Sequence, residues 1–274
     1  MSLPLKANTR LSLVLWAAAL LGILSVLPYQ FALLGPQLQA AAKLHNMSVI
    51  QLLLMGMAQS AVLLGAAAFV GSWASSRVGL RAPLLSAWVS ALPFPRGLGP
   101  VLVQAIWVGG LCAVFVLGLD LLFVRASPEL LALQQSPATA GLIWQGLLAS
   151  LYGGIVEEIL LRWCVLSLIA LGLRALLRKL FGRPTTDLPT TVFWAANLIS
   201  AALFGLGHLP ATAQLLPLTA VIVTRALLLN GIVGLAAGWL FRRAGLESAM
   251  LLHFSADIGL HVLGPMLAAA PSVF

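Results

Sequence analysis

The chain has 274 residues, of which 61% are hydrophobic and 8% charged, with a formal net charge of +8. A soluble domain carries roughly 25% charged residues, so a water-soluble globular protein is excluded and the bilayer is the expected solvent. The positive balance does not mark a nucleic-acid partner, because the basic residues fall between apolar runs instead of forming a polar face.

A membrane span needs about 20 mostly apolar residues. Charge-free stretches cover residues 11–34, 46–76, 97–119, 130–156 and 188–207. They predict spans near 11–34, 47–75, 98–124, 140–173, 190–208, 218–241 and 248–268. The expected fold is an all-α, polytopic membrane helix bundle of about seven spans, within six to eight. Splitting 209–241 at Asn230-Gly231 would give eight, but would move Arg242 and Arg243 to the poorly charged side. There is no repeat at a fixed period and no low-complexity linker, so residues 1–274 are read as one membrane domain.

At the amino-terminal end, Lys6 and Arg10 precede an apolar run and Ala40 to Ala42 follow it, a pattern that a signal peptide also shows. The run to Leu34 exceeds the usual 7 to 15 residues of a signal peptide's apolar region, which favours a retained first helix. Between the spans, one side collects Lys6, Arg10, Arg77, Arg81, Arg96, Arg174, Arg178, Lys179, Arg183, Arg242 and Arg243. The other holds Lys43 and Arg125. The positive-inside rule then places the amino terminus in the cytoplasm and the carboxyl terminus outside. Cys112 and Cys164 lie in apolar segments, without paired spacing, and read as small buried hydrophobes.

In the third predicted span, Asp120 and Arg125 flank a helix end and are expected to be solvated. The fourth carries Gly153-Gly154-Ile155-Val156-Glu157-Glu158-Ile159-Leu160-Leu161-Arg162. An Asp, Lys or Arg at mid-helix costs about 2.5–3.5 kcal/mol on insertion scales, so charges at this depth face a partner or a wet cavity. Glu158 and Arg162, at i and i+4, share a face and can pair. Glu157 points about 100° away and is left freer for chemistry. The two glycines a turn earlier permit close approach of a helix, a water or a substrate. The bland alternative is an Arg-Glu pair that locks helix packing, against which the second glutamate argues.

The fifth span ends in Phe204-Gly205-Leu206-Gly207-His208. A lone His at a helix end is ordinarily structural or interfacial, although the neighbouring glycines open space beside this one. In the sixth span, Arg225 is expected to snorkel outward along its stem. The seventh carries His253, Asp257 and His261 on one stripe. A His-Asp pair one turn apart can orient an imidazole, bind a metal, donate to an oxyanion or satisfy itself at a helix contact. His261 is expected to meet the headgroups.

Taken in order, Glu157-Glu158-x-x-x-Arg162, Phe204-x-x-x-His208 and His253-x-x-x-Asp257 resemble the signature of the CPBP family. That family comprises the CAAX-prenyl endopeptidases and the bacteriocin-processing or immunity proteins, also called Abi. The resemblance covers roughly residues 140–262 and implies an intramembrane endopeptidase. It implies that Glu157 and His208 hold and deprotonate a water, that Glu158 and Arg162 organise the first motif, and that His253 and residue 257 stabilise the oxyanion. The family often has Asn at this last position, and an ionised Asp cannot donate a hydrogen bond. Asp257 could instead orient His253, or join Glu157, His208 and His253 as ligands of a divalent ion such as zinc. No HExxH is present, and a metal-free glutamate mechanism stands beside the metalloprotease one.

Two rivals remain at this stage: a non-catalytic immunity or scaffold protein on the same fold, and an ion- or proton-coupled transporter. The lack of an inverted repeat with matching broken helices counts against the transporter. The expected partners are a peptide or membrane-protein substrate and the lipid bilayer, with no nucleic acid. The Ala/Leu/Arg-rich composition suggests a bacterial cytoplasmic membrane, hence an unlipidated substrate. Straight helices at 1.5 Å per residue would place His208 near the outer boundary and His253 about six residues from the inner end, so a break or tilt must bring them together, with Pro189, Pro210 and Pro217 as candidate places.

Overall fold

The structure, a computed structural model, describes residues 5–134, 143–182 and 187–269. Arg183 and residues 140–142, at the start of the motif-bearing region, lie outside them. The described residues form helices and no strand: α1 Leu5–Leu44, α2 Val49–Val78, α3 Pro83–Val89, α4 Leu98–Ala126, α5 Pro128–Gln134 and α6 Ile143–Tyr152. After these come α7 Ser167–Phe181, α8 Thr190–Gly207, α9 Leu209–Thr212, α10 Ala220–Ala244, α11 Leu246–Asp257 and α12 Gly264–Ala269. Six continuous helical stretches are long and apolar enough to cross a membrane. The last, Leu246–Ala269, is a seventh apolar rod interrupted by a π-helical turn over Ile258–Leu263. The protein is thus a polytopic helical membrane bundle.

The ends differ from the expected ones where local chemistry decides them. α1 continues ten residues past Leu34, with Pro28 and Pro36 inside it; proline is tolerated in membrane helices because neighbouring groups re-satisfy the freed backbone. α2 starts on a reciprocal cap between Ser48 and Gln51, and ends at Gly79, whose φ of 76° places it in the left-handed region. α3 and α5 were not expected; each has Pro at its first position, where the missing N–H costs nothing. Between α3 and α4 the large side chains Trp88, Leu92 and Phe94 are exposed.

Small residues bring the helices together, as they must where lipid supplies no hydrophobic drive for helix association. α10 runs antiparallel to α8. Gly238 lies under the Asn197 amide, which donates to the Leu235 carbonyl at 3.1 Å, and Gly205 lies against Ala226 and Leu227. α11 runs antiparallel to α6, with Gly146 against His261, Gly153 against Asp257 and Gly154 against Phe254. Ser72 joins α1 to the helix after α6, accepting from Trp163 Nε1 at 3.1 Å and lying 2.8 Å from the Ser12 hydroxyl. One apolar core, which includes Leu15, Trp163, Phe193, Leu240 and Leu252, draws on α1, α8, α10, α11 and the rod between α6 and α7.

That rod, Ile143–Phe181, is continuous but π-wound over Gly153–Glu157 and Ile159–Leu166. Wide turns of this kind interrupt α-helices at functional sites. Here they hold Glu157 and Arg162, with Glu158 at the junction between them.

Candidate active site

The fourth span brings two adjacent carboxylates to opposite environments. Glu158 is fully buried and Arg162 1% exposed. Arg162 Nη1 lies 3.0 Å from Glu158 Oε1, an ion pair set off the line of a hydrogen bond. The guanidinium lies over the face of Phe204, with Cζ 4.9 Å from the ring centre, so a cation–π contact stands in for some of its missing water. Glu157, with its side chain 19% exposed, faces a cavity instead.

His253, 3% exposed, donates from Nδ1 to Glu158 Oε1 at 2.7 Å. That bond fixes the ring and turns Nε2 toward the cavity, 3.6 Å from Glu157 Oε2 and 3.7 Å from Asp257 Oδ1. His208 sits at the C-terminal end of α8 and donates from Nδ1 to the Phe204 carbonyl, 2.9 Å away. Its Nε2 is thereby left with a free lone pair, 3.9 Å from Glu157 Oε1. The Glu157 carboxylate therefore lies between two imidazoles, one oxygen toward each. Separations of 3.6–3.9 Å are too long for direct hydrogen bonds and leave room for a bridging water.

Despite the expected mismatch in depth, His208 and His253 both meet Phe204. Helical side chains lean toward the N-terminus. The His208 ring folds back onto Phe204, edge to face at 4.8 Å, while the other edge of the cluster has Phe204 and His253 at 5.4 Å. Of the three prolines expected to supply the break, Pro189 caps α8, Pro210 opens α9 and Pro217 precedes α10. None interrupts α8 before His208.

The cavity encloses about 690 Å³ and is lined from α1, α4, the rod, α8, α10 and α11, with Tyr29, Tyr152, Glu157, His208, His253 and Asp257 among its walls. Gly153 forms part of the wall. A Cβ there would collide with the Asp257 carboxylate and meet His253 Nε2, so this glycine is required by close approach. The structure thus gathers Glu157, Glu158, Arg162, His208, His253 and Asp257 into one cluster.

Three sequence-based expectations are corrected. Arg225 does not snorkel outward and Asp120 is not simply solvated: they form a two-pronged ion pair across α10 and α4, at 2.5 and 3.0 Å, and both line the cavity. His261 does more than meet the headgroups: it also lines the same cavity, 3.9 Å from Asp257 Oδ1 and edge to face with Tyr29 at 5.9 Å. The sequence signal for these was present in the i, i+4, i+8 stripe of α11 and in two opposite charges at membrane depth. For Phe204, which contacts Arg162 and both imidazoles, no signal in the sequence beyond its position one turn before His208 points to that role.

Ligands sharing one zinc ion stand about 2.0–2.3 Å from it. Among the described residues, no group of three or more His, Cys, Asp and Glu side chains is placed to hold a metal ion. The donors around Glu157 stand 3.6–3.9 Å from one another.

Residues 139–259 match the family model described as Rce1-like, type II CAAX prenyl endopeptidase. The matched segment, less than half of the chain, carries all three motifs and agrees with the resemblance read from them. No curated protein and no solved structure matches the chain.

Proposed function

We propose that this chain is an intramembrane endopeptidase of the CAAX-protease type, in which Glu157 is the base that activates water. The observation that carries the reading is the Glu157 carboxylate suspended at a cavity wall between Nε2 of His208 and Nε2 of His253, backed by the buried Glu158–Arg162 pair. A water between Glu157 and His208 gives a proton to Glu157 and its hydrogen bond to the His208 lone pair, and its oxygen attacks the scissile carbonyl. The oxyanion forms on the side of His253, whose imidazolium form donates from Nε2 while Nδ1 stays bound to Glu158. Glu157 then returns the proton to the leaving amine as the carbon–nitrogen bond breaks.

In this scheme Asp257, as the protonated carboxylic acid, is the second donor to the oxyanion, one turn beyond His253 and held over Gly153. An amide NH2 can donate from the same position. Asp257→Asn is therefore expected to keep cleavage within about tenfold, and Asp257→Ala to lower kcat by about 10²–10³-fold, the usual cost of one oxyanion donor. A variant Asn enzyme as inactive as the Ala one would instead make Asp257 a carboxylate that orients His253.

With Glu157 as the base and no described group of three or more donors placed to hold a metal ion, cleavage is expected to survive exhaustive chelation, with less than stoichiometric metal in the purified protein. Activity lost to chelator and restored by zinc would replace the glutamate mechanism with a metal one. The substrate enters the cavity from the membrane as an extended peptide, with the amino terminus of the enzyme in the cytoplasm. Cleavage assays on peptides with and without a prenylated cysteine separate a lipidated substrate from an unlipidated one.

A further inference from the structure

A second cavity, of about 480 Å³, lies at the end of the bundle where α2 leads into α3 and α10 turns into α11. Four arginines line it, Arg81, Arg96, Arg242 and Arg243, and no acidic residue does. The nearest carboxylate in sequence, Glu247, is committed elsewhere: it accepts from the Leu85 N–H at 2.8 Å. Arg242 donates to the Leu188 carbonyl and the Thr190 hydroxyl, but its Nη1 is buried without a hydrogen-bond partner. Arg81 and Arg96 are exposed, and their side chains make no hydrogen bond or ion pair with a described residue. The Arg243 guanidinium lies 5.6 Å from the centre of the Trp239 ring.

Four guanidiniums held together by the fold repel one another, and a buried donor left unsatisfied adds to the cost. Both penalties vanish if an anion with several acceptor oxygens occupies the cavity. The surroundings say how such an anion is presented. Pro83, Phe241 and Val101 supply apolar wall beside the arginines, and the segment that carries Arg96 also exposes Trp88, Leu92 and Phe94. Exposed aromatic and aliphatic side chains next to arginine, at the end of a membrane bundle, belong at the headgroup level.

We propose that this cavity is a binding site for the phosphate of an anionic phospholipid headgroup. Its floor is the α10–α11 turn, where the Leu246 N–H donates to the Arg81 carbonyl at 2.9 Å. A bound headgroup thus ties α2 and α4 to the start of α11, seven residues before His253. The proposal does not depend on the protease reading.

The test is thermal unfolding of the full chain in zwitterionic micelles, titrated with phosphatidylglycerol, phosphatidylcholine or inorganic phosphate. Phosphatidylglycerol is expected to raise the melting temperature saturably, and phosphatidylcholine to leave it unchanged. Each of Arg96→Gln and Arg243→Gln is expected to weaken the response about fivefold, from roughly 1 kcal/mol per basic residue near an anionic lipid. Arg174→Gln with Arg178→Gln removes the same charge as Arg96→Gln and Arg243→Gln combined, at the same end of the bundle and outside the cavity, and is the control for that double variant. Equal weakening by the control pair would mean a diffuse surface potential and overturn the site. An unchanged response in Arg96→Gln and Arg243→Gln, or an inorganic-phosphate midpoint equal to that of phosphatidylglycerol, would overturn it too, the latter in favour of a free anion.

Discussion

Glu157→Gln is expected to lower the rate of peptide cleavage by about 10²–10⁴-fold, the contribution of a positioned general base. Gln keeps the shape and can still hydrogen-bond a water, but it cannot take the proton. The side chain faces the cavity and forms no hydrogen bond with a described residue shorter than the 3.6 Å approach of His253. Its replacement should therefore leave melting temperature and membrane insertion unchanged. The informative measurement is kcat alongside unfolding in the same micelles. Undiminished cleavage would sink the role of Glu157 as base. Proton flux in proteoliposomes that disappears with the same substitution would favour a relay, while immunity-type protection that survives it would favour a non-catalytic scaffold.

Arg162→Met is expected to act on stability first. Glu158 is fully buried and Arg162 nearly so, and removal of one partner from a buried ion pair costs about 3–5 kcal/mol, because the other charge stays behind without compensation. Glu158 would retain only its bond to His253. The loss should appear as a large drop in melting temperature. The double replacement Arg162→Met with Glu158→Gln should recover a substantial part of it, since no uncompensated charge remains. Cleavage should stay low in the double variant, because Gln at 158 no longer fixes His253 with a charge-assisted bond. Recovery of activity together with stability would limit Glu158 to packing.

The two substitutions separate what adjacent residues do. Glu157 and Glu158 have identical side chains and differ only in the face that the wide helical turn gives them, one to a cavity and one to a guanidinium. That division was legible before any coordinates, because i and i+4 share a helix face and i+3 from Glu157 leads to Leu160, which offers no partner. The π-winding was not legible. Its geometry depends on what the rod packs against, Gly153 and Gly154 against α11 on one side and Trp163 against α2 on the other.

The same distinction explains Asp120, Arg225 and His261. Each was judged by its own helix, where a charge near an end has water or headgroups within reach. Their actual partners sit on other helices, and hydropathy holds no information about which spans are neighbours. Asp120 meets Arg225 because α4 and α10 lie side by side, and His261 meets Tyr29 because both side chains line the same cavity.

What the sequence by itself determined is the solvent, the number of apolar rods to within one, and six ionisable residues that the structure gathers into one cluster, because burying charge in lipid is so costly that each ionisable residue at membrane depth stands out against an apolar background. Tertiary structure alone decided how those residues are oriented: Glu158 between Arg162 and His253, and Glu157 between His208 and His253. Orientation is a property of contacts between segments far apart in the chain, and those contacts are set by side-chain packing between spans whose hydropathy is alike.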